Sequence, residues 1–225
     1  MIKKTLIVGA LSSIVSWSAL AADSPLSYSH AGVGYLTGDI ADVDFSGFGI
    51  YGSHALNDSF FVIGGYTSIS SDDKFEIESG SGEIESGPGE IGSGSDDIEA
   101  TQFSIGLGFH TPISDAIDFV ATLSYADAEV EFFDFTEDGN GYILSAGVRA
   151  KPTQEIELQA FLNYADIEDG SETGYLLGAR YFTMPTLSLG LNYGSSDDFD
   201  SFSFDVRCSA FDVGRSAFDV GRSSF

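Results

Sequence analysis

The chain carries one cysteine, Cys208, so no internal disulfide can staple it. Only nine lysines and arginines stand against 35 carboxylates, and the formal net charge of −26 argues against a nucleic-acid partner. With three histidines and that single thiol, a zinc site lacks ligands. Long apolar runs are missing too. The N-terminal run, Leu6 to Val15, falls short of the roughly 20 residues a membrane helix needs, and no later stretch provides a helical span.

What is present begins with that short run. Lys3 and Lys4 precede it, and Ala19-Leu20-Ala21 follows as a small-x-small site, so residues 1–22 read as a signal peptide cut after Ala21 or Ala22. No cysteine directly follows the cleavage site, which argues against a lipid anchor. The exported remainder, about 200 residues, makes one domain. The whole chain's 27 glycines, 19 phenylalanines and 10 tyrosines beside only five prolines suit strands and turns better than helices.

The clearest pattern is alternation. Phe103, Ile105, Leu107 and Phe109 alternate with Gln102, Ser104, Gly106, Gly108 and His110. After a turn at Thr111–Ala116, the residues Ile117, Phe119, Ala121, Leu123 and Tyr125 share one face. Period two means strand. Runs of about nine or ten residues suit a tilted strand crossing hydrocarbon. The same reading marks ten segments: 26–36, 45–55, 60–70, 101–110, 117–126, 141–150, 156–165, 174–182, 187–194 and 202–208. The first and third are ambiguous, because Phe60 to Ile63 is apolar on both faces. A half-buried hairpin of a soluble sandwich has the same local pattern, so the connections must decide.

Those connections alternate in kind. Residues 56–59, 111–116, 151–155 and 183–186 are short turns. Residues 37–44, 71–100, 127–140, 166–173 and 195–201 are longer and hold 26 of the 35 carboxylates against one lysine, Lys74. A sandwich has no reason to segregate charge to alternate connections. An outer-membrane barrel has short periplasmic turns and longer extracellular loops. The expected fold is therefore all-β, a transmembrane antiparallel up-and-down barrel of about ten strands, with both termini in the periplasm. The barrel proper spans 23–210.

Two repeats of seven residues interrupt this plan. Glu76 to Gly82, Glu83 to Gly89 and a degraded copy from Glu90 form a low-complexity tract in the acidic connection 71–100. An odd period cannot hold one strand face, and its glycines and Pro88 oppose a helix, so a surface loop is expected. The copies lack the aspartate and glycine spacing of calcium-binding repeats. The tail repeats from Phe204, Phe211 and Phe218 to Phe225, and its alternation breaks at Phe211. Residues 211–225 read as a duplicated appendage, with a partner-binding tail as the alternative.

Three arginines are placed inward by alternation: Arg149, Arg180 and Arg207. Each lies near a short turn or the chain end on a strand descending to the periplasm. Glu157 and Asp118 point inward at similar depth, and Asp205 lies two residues before Arg207. Symmetric pairing about the 152–154 turn sets Arg149 opposite Glu157. Buried charges must be paired, so these six are expected to form a lumen ion network or a constriction. Small inward residues such as Gly47, Gly49, Ser104, Gly106, Gly108, Gly147, Gly178 and Gly190 leave a narrow, partly hydrated lumen above them. Barrel enzymes rely on a histidine near the outer side. Here His54 and His110 fall at periplasmic ends, His30 lies mid-strand, and no long loop holds one, so no enzymatic activity, catalytic residue or cofactor is expected.

With those features in place, the chain resembles the small porin-like outer-membrane β-barrel proteins of Gram-negative bacteria, in the grouping around the OmpA-like transmembrane domain. The stretches 26–35, Ala146-Gly147-Val148-Arg149 and 177–181 carry the resemblance, which covers about 1–207. It implies residence in the cell outer membrane, lipid and lipopolysaccharide as neighbours, and barrel-assembly machinery as the insertion partner. A monomer without nucleic acid is expected. Divalent cations bridging the acidic rim to lipopolysaccharide phosphates follow from the charge. The function implied is a structural or narrow porin-like passive channel of the envelope, with an adhesin or surface interaction protein acting through its acidic loops as the alternative.

Overall fold

The computed structural model describes residues 26–40, 43–71, 75–76, 95–96, 98–132, 135–168, 170–196 and 199–209. The signal peptide 1–22, most of the seven-residue repeat in 76–95, and the tail 211–225 lie outside the described residues. Ten strands close one barrel: β1 (His30–Ile40), β2 (Val43–Ala55), β3 (Phe60–Ser71), β4 (Glu99–Ser114), β5 (Ile117–Phe132), β6 (Phe135–Ala150), β7 (Ile156–Ile167), β8 (Gly170–Met184), β9 (Leu187–Ser196) and β10 (Phe199–Ser209). Every neighbour is antiparallel, and β1 pairs with β10, so no barrel edge is left open. His30 faces Ser209, which brings the first and last strand ends to one rim. A two-residue ladder joins Phe75–Glu76 to Ser95–Asp96 outside the barrel.

Alternation sorts the side chains as expected for a membrane barrel. Outward Phe48, Ile50, Leu107, Leu123, Leu162 and Leu191 are 55–69 % exposed. Such a belt would be costly in water and is stable in hydrocarbon. Aromatics cluster at its upper margin, with ring centroids of Tyr35 and Phe48 5.1 Å apart and of Tyr193 and Phe202 4.9 Å apart. Phe60 and Phe109 meet at 5.4 Å near the opposite rim.

Four expected loops are mostly strand. The β5–β6 ladder continues through Phe132 opposite Phe135, leaving residues 133–134 where 127–140 was read as a loop. The other acidic connections shorten likewise, with final pairs Ile40–Val43, Ile167–Gly170 and Ser196–Phe199. The cause is visible in the sequence. Asp127, Glu129 and Glu131 are exposed and alternate with Ala126, Ala128 and Val130, so charge density hides a continuing period of two. Exposed carboxylates do not disturb a ladder whose other face is apolar. The turn read at 111–116 shrinks to Asp115-Ala116, with an irregular register between Pro112 and Ser114. At the N-terminal end the first strand starts at His30 and not at Leu26. Leu26 and Tyr28 are instead fully buried.

Candidate functional site

The strands turn three tiers of side chains into the lumen. The lowest is charged. Glu157 on β7 accepts from Arg149 on β6 at 2.5 Å and from Arg207 on β10 at 2.9 Å, through different oxygens. Arg180 on β8 donates to Asp205 on β10 at 2.7 Å. The Tyr51 hydroxyl donates to the same Asp205 oxygen at 2.6 Å, and Asn192 reaches the other at 3.4 Å. Asp118 on β5 accepts from the Tyr28 hydroxyl at 3.2 Å and lies 3.3 Å from His110 Nδ1. Tyr28 stacks on His110 at 4.1 Å, and the Arg149 guanidinium sits 5.0 Å from the Tyr28 ring centre.

All six site residues read from the sequence therefore lie in this floor, none more than 5 % exposed. Three guanidiniums pair with Glu157 and Asp205, and Asp118 stands opposite Arg149 in the β5–β6 ladder, which is how buried charge becomes tolerable. Just beneath, in the β6–β7 turn, the Lys151 ammonium lies 4.2 Å from the Phe182 ring centre, and burial holds its pKa below that of an ordinary lysine. One expectation is corrected. Arg149 stands opposite Gln159 in the ladder, and Glu157 stands opposite Arg180. The β6–β7 register is set two residues away from symmetry about 152–154, and the long side chains close the gap.

Sequence reasoning missed Tyr28, Tyr51 and His110 as members of the floor. Tyr51 had a usable signal, being the large residue that follows the small inward pair Gly47 and Gly49. Tyr28 shares the parity of inward Gly34, but alternation in 26–36 is ambiguous and the strand itself starts only at His30. His30 is the first residue of β1 and not mid-strand, with Nδ1 3.3 Å from Ser53 Oγ. His54 faces outward and is exposed. Among the described residues no group of three or more His, Cys, Asp or Glu is arranged to hold a metal ion.

The middle tier is mixed, with Ile63, Phe161 and Leu176 in an apolar cluster that reaches down to Tyr28, Phe61 and Val120, beside small and polar groups. Thr67, Gln102, Ser104, Ser124, Ser145 and Asn192 are all buried, and Gly34, Gly49, Gly65 and Gly106 share the inward face with them. The amide of Gln102 and the hydroxyl of Ser104 have no hydrogen-bond partner among the described residues. Buried polar groups of that kind are normally satisfied by water. The third tier, at the acidic end, is apolar. Leu36, Phe45, Ile69, Ile98, Ala100 and Phe199 pack together with Val43 and Val130. Ala126, Ala128, Ile143, Ala165 and Ile167 form a second cluster. Ile98 is fixed by paired bonds with Ser71, its carbonyl accepting from the Ser71 amide and its amide donating to Ser71 Oγ, both at 2.9 Å. This apolar lid escaped the sequence reading because Phe45 borders a connection read as a loop, and Ile98 and Phe199 sit inside two others.

A family model described as the outer membrane protein beta-barrel domain matches residues 7–181. No curated protein matches in sequence. Among solved structures, the KdgM porin in complex with disordered oligogalacturonate is 12 % identical, with 80 % of this chain and 99 % of that one covered, at a TM-score of 0.44. The NanC porin is 7 % identical over 80 % and 98 %, at 0.46. The N-terminal β-barrel domain of Pseudomonas aeruginosa OprF is 9 % identical over 80 % and 97 %, at 0.40.

Proposed function

The chain belongs to the outer membrane protein β-barrel domain family, and on that premise we propose that it is a narrow, porin-like structural barrel whose lumen is shut at rest. It is an outer-membrane β-barrel protein. What supports closure is one observation above all: Glu157, 1 % exposed, is clamped between Arg149 and Arg207 from strands on different sides of the floor. The apolar lid lies at the far end of the same lumen. Ions would have to cross both a paired-charge layer and a dry constriction, each a known barrier to permeation. The buried polar groups between them, Gln102 and Ser104 among them, suit trapped water.

On this reading the protein is exported by signal peptide 1–22, inserted by the barrel-assembly machinery, monomeric and not an enzyme. Its residues 23–210 form the barrel and 211–225 an appendage. Recording wild-type protein in a planar bilayer tests the reading. The expected trace is silent at moderate voltage, while steady discrete steps from a pure, folded sample would overturn it.

A second reading is favoured by the outer face. Exposed Asp39 stands directly opposite both Asp44 and Asp200, Glu99 opposite Glu131, and Glu129 opposite Asp138. Like charges directly opposite one another destabilise a ladder. Divalent cations bridging this rim to lipopolysaccharide phosphates would relieve the repulsion and make the rim the protein's interaction surface. Adhesion tests with the rim acids neutralised and barrel folding retained would separate this role from the structural one.

A further inference from the structure

The lipid-facing wall is not uniformly convex. An open-sided hollow of about 920 Å³ is sunk into it across β10, β1, β2, β3 and β4, with a lining that is almost wholly carbon. Its origin is legible in the register. Ala31 pairs with Gly52, and Gly52 with Gly64, so three adjacent strands carry almost no side chain at one height. The outward row above is bulky: Ile50 opposite Tyr66, and Tyr66 opposite Phe103, all 44–60 % exposed. The missing side chains form the floor of a trough, and the bulky row forms its bank. Strands in such barrels are tilted, so a trough running across them is inclined to the bilayer normal.

We infer that this trough binds an acyl chain of a phospholipid. It lies close to the His30–Ser209 rim, where the short turns are, and so faces the inner leaflet. It is continuous with the belt of Phe48, Leu107 and Leu123 that meets hydrocarbon everywhere else. The volume falls in the range of small-molecule sites, and its apolar lining offers nothing to water. A second copy of the chain fits less well. A two-fold contact through this patch would set hollow against hollow. A flexible hydrocarbon rod fills the hollow and keeps dispersion contacts that a flat annulus would lose. His54, outward and exposed at the turn side of the trough, sits where a headgroup would lie.

The test uses folded full-length mature protein in detergent, mixed with a diacyl phosphatidylethanolamine and analysed by native mass spectrometry. Wild type is expected to retain one lipid at collision energies that strip detergent. Ala31→Leu fills the trough and should lower the retained fraction at least fivefold. Ala146→Leu, outward on the far wall, should leave it unchanged. Should Ala31→Leu fail to show the heat-modifiable band of a folded barrel, the same loss is expected when Cys208, which is exposed and lines the trough, is alkylated with a bulky maleimide after folding. Equal retention in the filled and wild-type proteins would overturn the proposal. So would no retained lipid in wild type, or a wild-type dimer that the filled variant turns into monomer.

Discussion

Arg149 and Glu157 do not face each other across the β6–β7 ladder, yet their side chains meet at 2.5 Å deep in the barrel floor. The carboxylate completes its bonding with Arg207 from β10, so one acid ties three strands together across the lumen. Arg180 and Asp205 repeat the motif, with Tyr51 as a second donor. Each charge is dehydrated and each is matched. Removing one partner therefore costs more than the pair contributes.

Glu157→Gln keeps the shape and removes the charge that Arg149 and Arg207 share. Breaking a buried pair this way costs roughly 3–5 kcal/mol. The urea midpoint, followed by the electrophoretic shift between folded and unfolded barrel, should fall sharply. An unchanged midpoint would mean that water reaches this floor and the residues are not dry.

Gly147 is required by a close approach. A Cβ there would lie 2.1 Å from the Ala160 carbonyl oxygen and 2.7 Å from the Phe161 ring. Because the nearest atom is backbone, no rotamer change relieves the clash. Gly147→Ala should lose about 1–3 kcal/mol, the usual range for overpacking. Folding yield and the urea midpoint, read by the same electrophoretic shift, check this.

The acidic outer rows predict a cation effect. With Asp39 opposite Asp44 and Asp200, added Mg²⁺ should raise the urea midpoint in vesicles containing lipopolysaccharide. Asp39→Asn should raise the midpoint without Mg²⁺ by a few tenths of a kcal/mol, in line with cross-strand pair energies of about 0.2–1 kcal/mol. It should also shrink the Mg²⁺ response. A response of equal size in wild type and variant would remove the rim from the account.

The fold and the floor were largely readable from residues alone because both depend on strand parity. Period two assigns a face to every residue of a strand, so parity alone turns Arg149, Arg180 and Arg207 inward. Strand length was harder to read. Along Asp127 to Glu131 the carboxylates resemble loop composition, although Ala126, Ala128 and Val130 keep the pattern going. The lid shared that difficulty, since Phe45, Ile98 and Phe199 sit where strand and connection meet. The bond between Arg149 and Glu157 needed tertiary geometry, because side-chain reach, not the ladder register, brings the two together. The lipid-side trough needed the register of three strands at once. Ala31, Gly52 and Gly64 are unremarkable until pairing sets them side by side.

The most direct test of closure is a four-way conductance comparison in planar bilayers, each protein first shown to migrate as a folded barrel. The four are wild type, a floor variant (Arg149→Ala with Arg180→Ala), a lid variant (Phe45→Ser with Ile69→Ser), and the two combined. With two seals in series, the first three should be silent and the combination should open discrete steps. Steady conductance from wild type, or from the floor variant alone, would contradict a lumen closed at both levels.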